Sequence, residues 1–105
     1  MLVGYLDEAE ARLEEIFAQI FAANPSAASR FLRNLDRAYT RLAKFPRSGH
    51  RIPEFPTHPC LEFIVNPYRF FYFVDASRKM LWIVDVWHGA QIPTQPQVPE
   101  VGVDV

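Results

Sequence analysis

The sequence predicts an α+β fold in the order β-α-α-β-β-β, with a helical hairpin packed on a small antiparallel sheet. Three observations carry that prediction. Apolar residues recur at spacings of three and four through residues 9–21 and again through 28–42. Aromatic and β-branched residues then crowd into three short runs, 60–65, 69–74 and 79–87. The links between those runs, Asn66-Pro67 and Asp75-Ala76-Ser77-Arg78, carry turn chemistry and are too short for the crossover that parallel pairing requires.

Each element has its own signals. Residues 1–6 form a short apolar edge strand, weakened by Gly4. Asp7 reads as a helix N-cap, with Glu10 as its capping-box partner. Ala9, Leu13, Ile16, Phe17, Ile20 and Phe21 then share one helical face, and Glu8, Glu15 and Gln19 fall largely opposite. Asn24-Pro25 ends this helix and begins the next, because Asn suits an N-cap and proline at the first helical position gives up only an unpaired donor. In the second helix Ala28, Phe31, Leu32, Leu35, Ala38, Tyr39 and Leu42 again repeat at three and four, and its outer side carries a ridge of Arg30, Arg33, Arg37 and Arg41. A connection this short makes the pair an antiparallel hairpin. Phe45-Pro46 stops it, since the residue before proline is pushed out of the helical region.

Residues 46–59 contain four prolines and read as an ordered surface loop leading into a four-stranded sheet. In the middle of the three runs, Phe70 and Tyr72 point to one face, and Arg69, Phe71 and Phe73 to the other. A face this aromatic is expected to have something bound on it. Residues 1–91 therefore form one domain. The Pro-rich tail, 92–105, is expected to be extended, mobile or ordered by a neighbour.

Composition narrows the function classes. The chain of 105 residues has room for one core. Its 12 acidic and 11 basic residues give no overall basic signal for nucleic acid. A single cysteine, Cys60, precludes an internal disulfide and gives no zinc spacing, which suits a reducing, cytoplasmic setting. No apolar run approaches the ~20 residues of a membrane helix. Acidic residues follow the N-terminus too closely for a signal peptide. No cofactor is expected. His50 and His58 lack companions at metal spacing, so no metal site is expected either.

Four pieces in register make the pattern recognisable: Asp7-Glu8-Ala9-Glu10 with Leu13-Glu14-Glu15-Ile16; Asn24-Pro25 with Ala27-Ala28 and Arg30-Phe31; Leu42 with Phe45-Pro46-Arg47-Ser48-Gly49; and Pro67-Tyr68-Arg69-Phe70-Phe71-Tyr72 followed by Val86-Trp87-His88-Gly89-Ala90. In these the chain resembles the RelE/ParE superfamily of toxins from bacterial type II toxin–antitoxin systems, and its ParE-like branch in particular. The resemblance implies the same fold. It also implies one of two activities: ribosome-dependent cleavage of messenger RNA, or inhibition of DNA gyrase by binding. In both, a partner antitoxin silences the toxin, in a complex of the two proteins.

Cleaving RNA through its own 2′-hydroxyl needs a base, cations for the phosphorane charge, and an acid for the leaving group. By resemblance, Arg69 falls on the phosphate-holding arginine of the nucleases. The preceding strand, however, reads Cys60-Leu61-Glu62-Phe63 where basic residues are usual, and Gln91 stands where an arginine is usual. Glu62 repels a phosphate backbone. The candidate catalytic residues are thus Arg69 and His88. Against each stands a plainer role: Arg69 pairs with Glu62 across the hairpin, and His88 is a structural hydrogen-bonding residue. The candidate surfaces for antitoxin or target comprise Arg30, Arg37, Arg69, Tyr72, Trp82 and Trp87, where the alternatives are a solvated helix face for the arginines and core packing for the aromatics. The expected function is a growth-arresting, plasmid-stabilisation type toxin that binds a cellular target such as DNA gyrase and leans away from catalysis. An mRNA endonuclease with a reduced site, and an inactive antitoxin-binding relative, are the alternatives.

Overall fold

The computed structural model describes residues 1–99, and the rest of the 92–105 tail lies outside the described residues. The chain runs β1 (Leu2–Tyr5), α1 (Asp7–Ala23), α2 (Pro25–Lys44), β2 (His50–Arg51), β3 (Leu61–Val65), β4 (Tyr68–Asp75) and β5 (Met80–His88). The strands form one sheet in the order β1-β5-β4-β3-β2. The last three make the expected antiparallel meander, and β1 lies parallel to β5 at the edge. Two helices packed on one face of a mostly antiparallel sheet give the α+β architecture that the sequence predicts.

The helical hairpin forms as its signals require. Asn24 caps α2, its side-chain oxygen accepting from the backbone N–H groups of Ser26 and Ala27 at 3.0 and 3.2 Å. Phe45 closes the helix, its N–H donating to the Arg41 carbonyl. Two expectations change. Leu6 occupies the N-cap of α1 and Asp7 is already helical, because β1 ends at Tyr5 and Glu10 N–H donates to the Leu6 carbonyl. Asp7, Glu8 and Glu10 then act on the N-terminal end of the helix dipole. The sheet also gains a fifth strand: His50 and Arg51, read as loop, pair with Glu62 and Leu61.

The core under the helices joins Phe31, Leu35, Ala38 and Leu42 of α2 and Ala9 of α1 to Phe63, Val65, Phe70, Tyr72, Leu81, Ile83 and Val86 of the sheet. Phe63 and Phe70 stack across β3 and β4 with centroids 4.9 Å apart. The alternation read for β4 holds, with Phe70 and Tyr72 inward and Phe71 on the far face. In β5 the pairing jumps from Ile83 to Asp85, a bulge opposite Phe71 and Tyr72. The side-chain parity changes there, so Leu81, Ile83 and Val86 all reach the helix side, while Trp82, Val84 and Trp87 take the other.

Two glycines are fixed by close approach. A Cβ on Gly49 would lie 2.6 Å from both the Glu62 carbonyl and the Tyr72 hydroxyl. One on Gly4 would lie 2.7 Å from the Trp82 ring. Gly4 thus does more than weaken β1, since its bare backbone makes room for a tryptophan on the neighbouring strand.

Candidate functional site

The far face of the sheet holds the chemistry. A second apolar cluster there unites Ile52 and Cys60 from the loop with Phe71 and Val84 from the sheet, and Leu6, Phe55, Phe73, Trp82 and Trp87 pack around it. Burial pushes the Cys60 thiol up to about 12, so it stays protonated and inert at neutral pH. Among the described residues, no group of three His, Cys, Asp or Glu side chains gathers to hold a metal, and no helix is long and apolar enough to cross a membrane.

Arg69 lies over the Phe71 ring, 5.4 Å from its centroid, on this face. Its Nε donates to Glu62 Oε2, which is the cross-hairpin pair anticipated from the Asn66-Pro67 turn. The structure adds a second carboxylate. Nη1 and Nη2 grip Glu54 in a two-point fork, at 2.8 and 2.7 Å. Glu62 in turn meets His50 Nε2 at 2.9 Å, so the cluster runs Glu54–Arg69–Glu62–His50. The Arg69 fork holds the Glu54 carboxyl down at about 2. Every guanidinium nitrogen of Arg69 thus has a carboxylate partner. A phosphate therefore meets no free fork at Arg69.

His88 stands exposed at the end of β5. Its Nδ1 accepts from Ala90 N–H at 3.0 Å, its own N–H donates to Gln91 Oε1 at 2.8 Å, and its ring meets Tyr68 edge-on. The side chain closes the turn after the strand. It lines a cavity of about 220 Å3 with Arg12, Glu15, Gln19, Tyr68 and Gln91.

The other candidates divide by burial. Tyr72 is fully buried, and its hydroxyl donates to the Pro46 carbonyl at 2.7 Å and accepts from Gly49 N–H at 3.0 Å. It pins the loop after α2 and presents nothing to a partner in this conformation. Trp82 is half-buried against Gly4. Trp87 is also half-buried; its Nε1 donates to Asp85 at 3.0 Å and the Arg12 guanidinium lies 4.5 Å over its ring. Burial raises the Asp85 carboxyl, and Arg12 at 3.4 Å works against that. Arg30 and Arg37 are exposed on α2 in a line with Arg33, Arg41 and Lys44, where Asp36 is the opposing charge. The outer side of α1 carries Asp7, Glu8, Glu10, Glu14 and Glu15, so the near-neutral chain is strongly polarised between its helices.

Sequence reasoning found the Arg69–Glu62 pair but missed Glu54, His50 and the Arg12–Asp85–Trp87 cluster. Glu54 and His50 lie in a stretch without periodicity, so nothing local announces where they point. Arg12 and Asp85 are 73 residues apart and meet only because α1 packs along β5.

Two helices packed on one face of a mostly antiparallel sheet are consistent with a protein of the RelE/ParE type. The sequence model for the ParE toxin of type II toxin-antitoxin system, parDE, matches residues 3–93, and the chain belongs to that family. It is therefore the toxin half of a two-protein toxin–antitoxin pair. No curated protein matches the chain.

Proposed function

We propose that this toxin arrests bacterial growth from the cytoplasm by binding a cellular protein, DNA gyrase, and that it does not cut RNA. The observation that carries the proposal is the Glu54–Arg69–Glu62 arrangement. The arginine that resemblance assigns to phosphate is held by two carboxylates, and the strand before it supplies the acid Glu62 where the nucleases are basic. Proton transfer and charge stabilisation at a scissile phosphate both lack their groups at this place. What remains exposed suits protein contact: aromatic edges at Trp82 and Trp87, and the cationic line that includes Arg30 and Arg37. A cognate antitoxin neutralises the toxin in a hetero-oligomer by covering these surfaces, with Arg30 and Arg37 meeting its acidic side chains.

The test is induced expression of the chain in a bacterial host, with primer extension across translated messages. Growth arrest without new 5′ ends is the expected result. Arrest accompanied by new ends within codons overturns the proposal in favour of an endonuclease. Absence of arrest overturns it in favour of an inactive antitoxin-binding relative.

A further inference from the structure

Beyond β5 the chain turns back and leaves a regular mark on the far face. Pro93, Pro96 and Pro99 are buried, while Ile92, Thr94, Gln95, Gln97 and Val98 between them are exposed. A spacing of three is the period of a polyproline II helix, which puts every third side chain on one side. Thr94, Gln95 and Gln97 line a cavity of about 210 Å3 together with Leu6, Glu8 and Val84. Leu6 and Val84 belong to the far-face apolar cluster, so the tail retraces β5 from His88 toward its start. Two further residues advance an extended chain by ~6 Å, which carries Pro99 toward the level of Trp82.

The way the tail is held is unusual. Among the described residues, none of 92–99 makes a hydrogen bond to the rest of the chain. Prolines have no N–H to give. Attachment of residues 92–99 thus comes from burying proline rings beside Leu6 and Val84, which belong to the same apolar cluster as Phe73, Trp82 and Trp87. That is the chemistry by which aromatic grooves take proline-spaced peptides, and a contact of this kind carries no ladder of hydrogen bonds to be broken on release.

We propose that the far face of the sheet is a docking groove for extended, proline-spaced segments, and that its resident occupant is this chain's own residues 92–99. A segment of the same chemistry from a partner enters by displacing that strap. The groove is separate from the cationic line on α2, so a partner can hold the helices while the strap stays in place.

The experiment uses a fluorescent peptide of residues 92–99 and two full-length proteins, the unmodified chain and the triple variant Pro93→Ser, Pro96→Ser, Pro99→Ser. Peptide polarisation and tryptophan emission are read during titration. The expected result is binding to the variant at least ten-fold tighter than to the unmodified chain, with a change in tryptophan emission. Equal affinity for both proteins, or no binding to a folded variant, overturns the proposal. If the triple variant does not fold, Pro96→Ser alone replaces it, with an intermediate affinity expected. Nuclear Overhauser contacts of the Pro96 ring are then sought in the unmodified chain. Contacts with Val84 or Trp82 that fade as excess peptide is added support the strap, and their absence overturns it.

Discussion

The two faces of the sheet are built from similar residues and covered in different ways. On the near face, Phe63, Phe70, Tyr72, Leu81, Ile83 and Val86 meet two amphipathic helices, and all are essentially fully buried. On the far face, Phe71 and Val84 are buried beside Ile52 and Cys60 of an irregular loop, but Phe73, Trp82 and Trp87 are covered only in part. The charged cluster around Arg69 also sits on the far face. Regular helices seal the face that sets the fold, and irregular chain covers the face that holds chemistry. A sheet of this kind can change what it presents without repacking its core.

If that division is real, substitutions on the two faces must separate in size. Phe70→Ala removes a fully buried ring from the helix side and is expected to cost about 3–5 kcal/mol in denaturant unfolding. Phe73→Ala on the far face is expected to cost about 1–2 kcal/mol, because only part of its surface is covered. Equal costs would break the comparison. Arg69→Ala leaves Glu62 buried with only His50 beside it, and about 3 kcal/mol of destabilisation is expected. Adding Glu62→Gln should recover part of that loss, which a double-mutant cycle measures.

Smaller effects sharpen the picture. Tyr72→Phe deletes the hydroxyl that joins Pro46 to Gly49, at an expected cost of about 1–2 kcal/mol, with faster hydrogen exchange at the Gly49 amide. Glu54 titrates at about 2 in the fold against an ordinary 4.5. Its depressed value means that its stabilising contribution is present above about pH 4.5 and is lost as pH falls toward about 2. The stability difference between the unmodified chain and Glu54→Gln should therefore narrow through that window. It should also be small throughout, since the Glu54 side chain is 38% exposed and screened by solvent. Arg37→Ala is expected to change stability by less than about 0.5 kcal/mol, which leaves any loss of antitoxin affinity attributable to the interface.

Most of the fold was legible because its signals are local. The period of the apolar residues marked both helices, and Asn24 capped α2 as read, for its acceptor lies two and three residues from its donors. The hairpins of the meander were legible from the turn residues. The two-residue β2 was not, since a strand so short is defined by its partner, Glu62 and Leu61, and by no pattern of its own. Asp7 misled because it is a good cap, yet the strand before it sets where the helix starts. Of the candidate site, the turn placed Arg69 beside Glu62 and nothing placed Glu54. The tail read only as Pro-rich, with no regular pattern drawn from it, and the burial of Pro93, Pro96 and Pro99 is a property of the fold.

The most direct measurement of the central claim is supercoiling of relaxed plasmid by purified DNA gyrase as the full chain is titrated in. A binding toxin predicts dose-dependent inhibition that the cognate antitoxin reverses and that Arg69→Ala retains in proportion to the folded fraction. Supercoiling that continues undiminished at large molar excess of folded chain would contradict it.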